Sequence, residues 1–207
     1  MIPKIILDFE TSGLNPYHDD IIEVAFKVMD SSESHSTLVK PKSNECISDD
    51  ITRITGITNK MLAKEGKPWK EVYIFINDFL ISFKSQSEKI AIISHNGEGF
   101  DFIFLRRILN DLRQMNIKTF PIENIIFVDT LLLAKRLCSG RSSYRQSSLC
   151  RQYNINATDS HRALNDVLAL EQLYIVLTKK LNDKYQKRRC FLKYPQMVDN
   201  FNKYKSM

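Results

Sequence analysis

Two acids close an otherwise apolar segment near the start of this 207-residue chain. In KIILDFE, residues 4–10, a strand would alternate its side chains between faces. Ile5, Leu7 and Phe9 then share one face, and Ile6, Asp8 and Glu10 share the other. Thr11, Ser12 and Gly13 follow at once, a turn with backbone N–H groups to offer. In open α/β sheets that end of a strand is where ligands bind. Two further acids interrupt apolar helical stripes. Asp101 heads the stripe Leu105, Ile108, Leu112, and Asp166 sits in the stripe Ala163, Leu170, Leu173, Leu177. A buried carboxylate without a partner costs several kcal/mol. The cations near these acids in sequence, Arg106, Arg107 and Arg162, fall on neither stripe. Convergence of all four acids on hard divalent cations removes the difficulty, because Mg²⁺ takes carboxylate oxygens, water and phosphate. Two such ions about 3.5–4 Å apart serve both the attacking and the leaving oxygen of a phosphodiester displacement. His161 stands five residues before Asp166, about 140° away on a helical wheel, so it is expected on a lead-in loop. An imidazole there is suited to take a proton from an attacking water. The bland alternatives are two acids exposed at a strand end and a histidine at a helix end. Each is reasonable alone, and the five residues together argue against them.

These groups need a scaffold, and the pattern supplies one. Strands are predicted over residues 4–10, 20–29, 36–39, 89–94 and 124–128. Helices are predicted over 48–54, 59–64, 69–83, 100–115, 129–137, 147–153 and from near 160 to about 184, with Gly56 separating the first two and Asp129 placed to cap the fifth. Three strands followed by helices alternating with two more strands indicate an α/β fold with a mixed sheet. The chain is long enough to bury a core without disulfide staples. Its four cysteines, Cys46, Cys138, Cys150 and Cys190, show no CxxC spacing, which argues against a zinc site or a disulfide framework and for a reducing compartment. No apolar run approaches the ~18 residues of a membrane span, and the start, MIPKIILDFETSG, reads as a first strand rather than a signal peptide.

The net charge is +6, with a pI near 9.1. From Lys179 onward the chain carries +7 and the rest carries −1. A second basic stretch lies between Asp129 and Asp159, where Lys135, Arg136, Arg141, Arg145 and Arg151 meet no acid. Such patches suit a polyanion held through its phosphates; a solvated face plus a soluble tail is the plainer alternative.

DFETSGL (8–14), HNGEGFD (95–101) and HRALND (161–166) resemble the three acidic motifs of the DEDDh 3′–5′ exonucleases, the DnaQ-like group of the ribonuclease H-like superfamily. IIEVAF (21–26), ITGIT (54–58), FVDTLLLAKRL (127–137) and SLCRQYNI (148–155) extend the resemblance over residues 5–177. The wording is most similar to proofreading subunits of bacterial replicative polymerases and their free-standing relatives. RSSYRQ (141–146) is longer and more basic than that pattern, and Gly97 and Glu98 also depart from it.

The resemblance implies a ribonuclease H-like α/β fold, a five-stranded mixed sheet flanked by helices on both sides. Residues 1–178 would form the exonuclease domain and 179–207 a basic C-terminal tail made of the helix end plus an extension. It implies hydrolysis at 3′ ends of single-stranded or frayed DNA or RNA, with release of nucleoside 5′-monophosphates and two divalent cations, Mg²⁺ or Mn²⁺, as cofactors. Asp8, Glu10 and Asp166 would hold the first cation, Asp8 would bridge to a second that Asp101 supports, and His161 would be the general base. Thr11, Ser12 and Gly13 would meet the terminal nucleotide, Leu14 would wedge against the last bases, and Asn96 and Phe100 would line the cleft. Arg141, Arg145, Lys187, Arg188 and Arg189 are candidate nucleic-acid contacts on charge. Expected partners are DNA or RNA 3′ ends and a polymerase or other replication or repair protein, not a membrane, in the cytoplasm or nucleus. A different class of function, a nucleic-acid-binding or polymerase-associated docking subunit with little catalysis, fits the basic tail.

Overall fold

A computed structural model describes residues 2–156 and 162–187. The strands are β1 (Lys4–Thr11), β2 (Ile21–Val28), β3 (Ser34–Lys40), β4 (Lys67–Pro68), β5 (Ile90–Ser94) and β6 (Ile125–Asp129). The helices are α1 (Asp49–Thr55), α2 (Asn59–Glu65), α3 (Trp69–Ser82), α4 (Asp101–Gln114), α5 (Thr130–Leu137), α6 (Gln146–Gln152) and α7 (Ala163–Lys187). They form one mixed sheet in the order β4-β3-β2-β1-β5-β6. β1 runs antiparallel to β2 and parallel to β5, so it is central, and its C-terminal end lies beside that of β5.

The sheet has six strands rather than the five expected. The extra one, β4, is a two-residue parallel pairing of Lys67 and Pro68 with Val39 and Lys40. It is too short to show a period-two pattern, and its proline is tolerated because it lies on the edge. The other elements fall within a few residues of expectation. Ser48 caps α1 through a hydrogen bond from the Ile51 N–H, Gly56 closes it at φ 70°, and Asp129 caps α5 by accepting from Leu131 and Leu132 N–H.

Alternation along β1 decides which layer each residue joins. Ile5, Leu7 and Phe9 pack with Val24, Phe26 and Ile92 against α3 and α4. Ile6, Ala25 and Ile93 pack on the other face against Leu170, Leu173 and Leu177 of α7, with Ala134 of α5 and Leu149 of α6. Asp8 and Glu10 follow Ile6 on that second face, so the strand delivers them to the N-terminal end of α7. The α4 stripe is buried as expected, Leu105, Ile108 and Leu112 all being at or near zero exposure. α7 runs on past residue 178 to Lys187, so the first residues of the 179–207 stretch are helical. No helix among the described residues is long and apolar enough to cross a membrane.

Candidate active site

Asp8, Glu10 and Asp166 each present a carboxylate oxygen, and the three oxygens lie within 4.8 Å of one another. β1 supplies the first two by its two-residue alternation, and the first turn of α7 supplies the third. Asp101, at the head of α4, is buried and accepts a hydrogen bond from the Phe9 N–H at 3.1 Å, which fixes it beside the strand between Asp8 and Glu10. All four predicted acids therefore meet at the C-terminal end of β1.

The electrostatics are those of like charges held together. Burial first, then Asp101, Glu10, Asp166 and Glu23, push the Asp8 carboxyl well above the usual range. Glu10 is pushed up to about 8, by burial, Asp166, Glu23 and Asp101, against a lowering contribution from Arg162. Asp101 rises to about 7, through burial that outweighs the hydrogen bond from Phe9. Among the described residues no ion pair reaches Asp8, Glu10 or Asp101. A set of hard oxygen donors at this spacing fits a divalent cation, whose charge reverses every one of these penalties.

Arrangements that the motifs alone did not reveal position the acids. Glu23 stands opposite Glu10 in the β1–β2 ladder and is nearly fully buried. Its carboxylate accepts from Arg162 Nη2 at 3.0 Å and Nε at 3.3 Å, from the Ala163 N–H at 3.2 Å and from Ser36 Oγ at 3.2 Å. A carboxylate from β2 thus pins the first turn of α7, where the helix dipole favours negative charge. The signal was an acid inside the otherwise apolar IIEVAF, directly across from Glu10. Gln146, the first residue of α6, donates from Nε2 to the Asp166 carbonyl at 3.0 Å and to Asp166 Oδ1 at 3.3 Å. Asp129 accepts from Asn96 and Glu98 N–H, both at 3.1 Å, besides capping α5. His95, half-buried and with its pKa lowered mainly by that partial burial, reaches Thr130 Oγ1 and the Tyr144 carbonyl, each at 2.9 Å. No sequence signal pointed to Gln146, because its contact spans two helices.

The remaining expected residues divide. Thr11 is buried and donates to the Gly13 carbonyl at 2.6 Å. Ser12 pairs with Asp20 through backbone and hydroxyl. A Cβ on Gly13 would meet the Asp19 carboxylate, which would have to move aside. Leu14 is 85% exposed. Asn96 adopts the left-handed region at φ 64°, and Phe100 packs edge-on against Phe104 at 5.1 Å between centroids. These belong to the turns bordering the acids. Arg141 lies over the Tyr153 ring and donates to its hydroxyl at 3.3 Å, whereas Arg145 is exposed at the start of α6. Lys187 is the last residue of α7. His161, Arg188 and Arg189 lie outside the described residues.

The chain is similar to known proteins in sequence and in fold. A sequence model of the family RNase_T, described as exonuclease, matches residues 5–174. The chain is 33% identical over 174 residues to a DNA polymerase III PolC-type protein of Thermotoga petrophila, and 32% identical over 182 residues to that of Mycoplasma genitalium. The matches cover 83% and 86% of this chain but only 11% and 12% of those proteins. The chain is also similar to solved structures. E. coli exonuclease I in complex with a dT13 oligonucleotide superposes with a TM-score of 0.74 at 17% identity, over 96% of this chain and 46% of that one. Exonuclease I of Methylocaldum szegediense gives 0.69 at 21%, over 86% and 41%.

Proposed function

The chain belongs to the exonuclease family, and we propose that it removes nucleoside 5′-monophosphates from the 3′ ends of single-stranded or frayed DNA or RNA. The observation that carries this reading is the convergence of Asp8, Glu10 and Asp166 within 4.8 Å, with Asp101 held beside them. Asp8, Glu10 and Asp166 would hold one divalent cation, Mg²⁺ or Mn²⁺, and Asp8 with Asp101 a second. When bound, the pair supplies positive charge for the attacking and leaving oxygens of a phosphodiester displacement. The protein's own groups do the rest. His161 takes the proton of the attacking water. Backbone groups of Thr11, Ser12 and Gly13 orient the terminal sugar, and Leu14 wedges against the last base. Asn96 and Phe100 line the cleft, and Arg141, Arg145, Lys187, Arg188 and Arg189 meet phosphates along the strand. The catalytic unit is residues 1–178, with 179–207 the end of α7 plus a basic extension, in an intracellular reducing compartment.

The similarity to a short segment of PolC-type polymerases supports action on DNA ends beside a polymerase. A ladder assay tests the reading, with 5′- and 3′-labelled single strands of DNA and RNA of one sequence, in Mg²⁺, Mn²⁺ or chelator. The expected result is stepwise shortening from the 3′ end, with metal only. The docking alternative instead predicts binding that survives both chelator and Asp8→Ala, with no shortening.

A further inference from the structure

The two most exposed large apolar side chains among the described residues are neighbours. Leu14 is 85% exposed and Tyr17 73%, and the next, Ile54, is 50% exposed. Both lie on the turn of residues 12–20, which leaves β1 directly after the acids and returns to β2. Single exposed apolar residues are ordinary. A turn fastened this firmly in order to expose two of them is not. Ser12 N–H donates to the Asp20 carbonyl at 2.8 Å, and Asp20 N–H donates back to Ser12 Oγ at 2.8 Å. Asn15 N–H donates to Asp19 Oδ2 at 2.7 Å, and Tyr17 N–H donates to Asn15 Oδ1 at 3.0 Å. From α4, the Arg107 guanidinium donates to the Pro16 carbonyl at 2.9 Å and the Asp19 carbonyl at 2.7 Å while stacking on Phe104. The helix that carries Asp101 therefore holds the turn as well.

That rigidity leaves Tyr17 with little ordering entropy to lose on meeting a ligand. Its place limits what the ligand can be. Tyr17 is three residues from Asp20, a reach of at most about 10 Å, and Ser12, paired with Asp20, is two residues from Glu10. The ring thus lies within a few stacked nucleotides of the acids, at about 3.4 Å each. A flat, exposed phenol at that distance matches the face of an unpaired base, which stacks whatever its identity. We propose that Tyr17 is a second stacking subsite, upstream of the terminal nucleotide, for single-stranded nucleic acid. The proposal rests on the exonuclease reading above.

The test separates the two. Binding of the full chain to a fluorescent single strand is measured by anisotropy in chelator, so that no cleavage occurs, with one abasic site moved through the six nucleotides nearest the 3′ end. DNA and RNA strands are run in parallel. In the wild type, at one position upstream of the terminal nucleotide, the missing base weakens binding about 5- to 100-fold. In Tyr17→Ala that penalty falls below about twofold, and Tyr17→Trp keeps it. Equal penalties in wild type and Tyr17→Ala, or none upstream of the terminal nucleotide, overturn the subsite. A chain that cleaves nothing yet shows the Tyr17-dependent penalty loses the nuclease reading and keeps the subsite.

Discussion

Two sets of acids on neighbouring strands and one helix are treated in opposite ways. Glu171 of α7 accepts from Lys27 Nζ at 2.8 Å, and Glu23 of β2 accepts from Arg162 and from the α7 backbone. Asp8 and Glu10, one strand over, have no such ion pair among the described residues, and their main company is other carboxylates, with only a weak opposing contribution from Arg162 at Glu10. Lys27 also donates to the Val28 and Ser31 carbonyls, so its charge is fully engaged in holding the turn between β2 and β3 against α7. Lys27 and Arg162 thus sit on acids that fix α7, and among the described residues the strand-end acids are left to each other. The first pattern stabilises the apo protein. The second destabilises it and becomes favourable only when external positive charge arrives.

The sharpest way to break this contrast is Asp166→Ala. Cleavage is expected to fall to background in the ladder assay while the metal-free melting temperature holds or rises, because a like charge has left the cluster. A fall in melting temperature with normal turnover would move Asp166 into the structural set. Gln146→Leu probes the same residue from the other side. Losing the hydrogen bond to Asp166 should weaken Mn²⁺ binding about 10- to 100-fold, as loss of a partner that orients a metal ligand does, with global stability little changed. Isothermal titration and a thermal melt on one sample separate the two effects. Glu23→Ala should do the reverse. It strands the first turn of α7 and one guanidinium. Because Arg162 is partly exposed, the loss should be about 1–3 kcal/mol in a denaturant melt, below that of a fully buried pair.

The sequence carried the acids well and their supports poorly. Asp8 and Glu10 were legible because a strand has a period of two and charged residues at its end stand out. Asp101 and Asp166 were legible because each breaks an apolar helical stripe. Ser48 and Asp129 announced their caps by residue type. β4 left no trace, since two residues cannot show a period. Glu23 was visible as an odd acid in IIEVAF, but its role depends on Arg162 lying 139 residues away in sequence, and only the packing of α7 on β2 brings them together. Gln146 and Arg107 act through contacts between elements that no local pattern encodes.

The central claim is that Asp8, Glu10, Asp101 and Asp166 repel one another until divalent cations bind. Carboxyls with folded-state pKa values raised to about 7 and 8 contribute stability at pH below their unfolded values, near 4, and lose it as pH rises through the folded values. The direct measurement is melting temperature against pH, from 5 to 9, with chelator and with saturating Mn²⁺. Without metal, the curve is expected to fall from pH 5 to about 8 and to level off above that, with the Mn²⁺ curve lying above it by a margin that widens over the same interval. Superimposable curves, flat across the range, would contradict it.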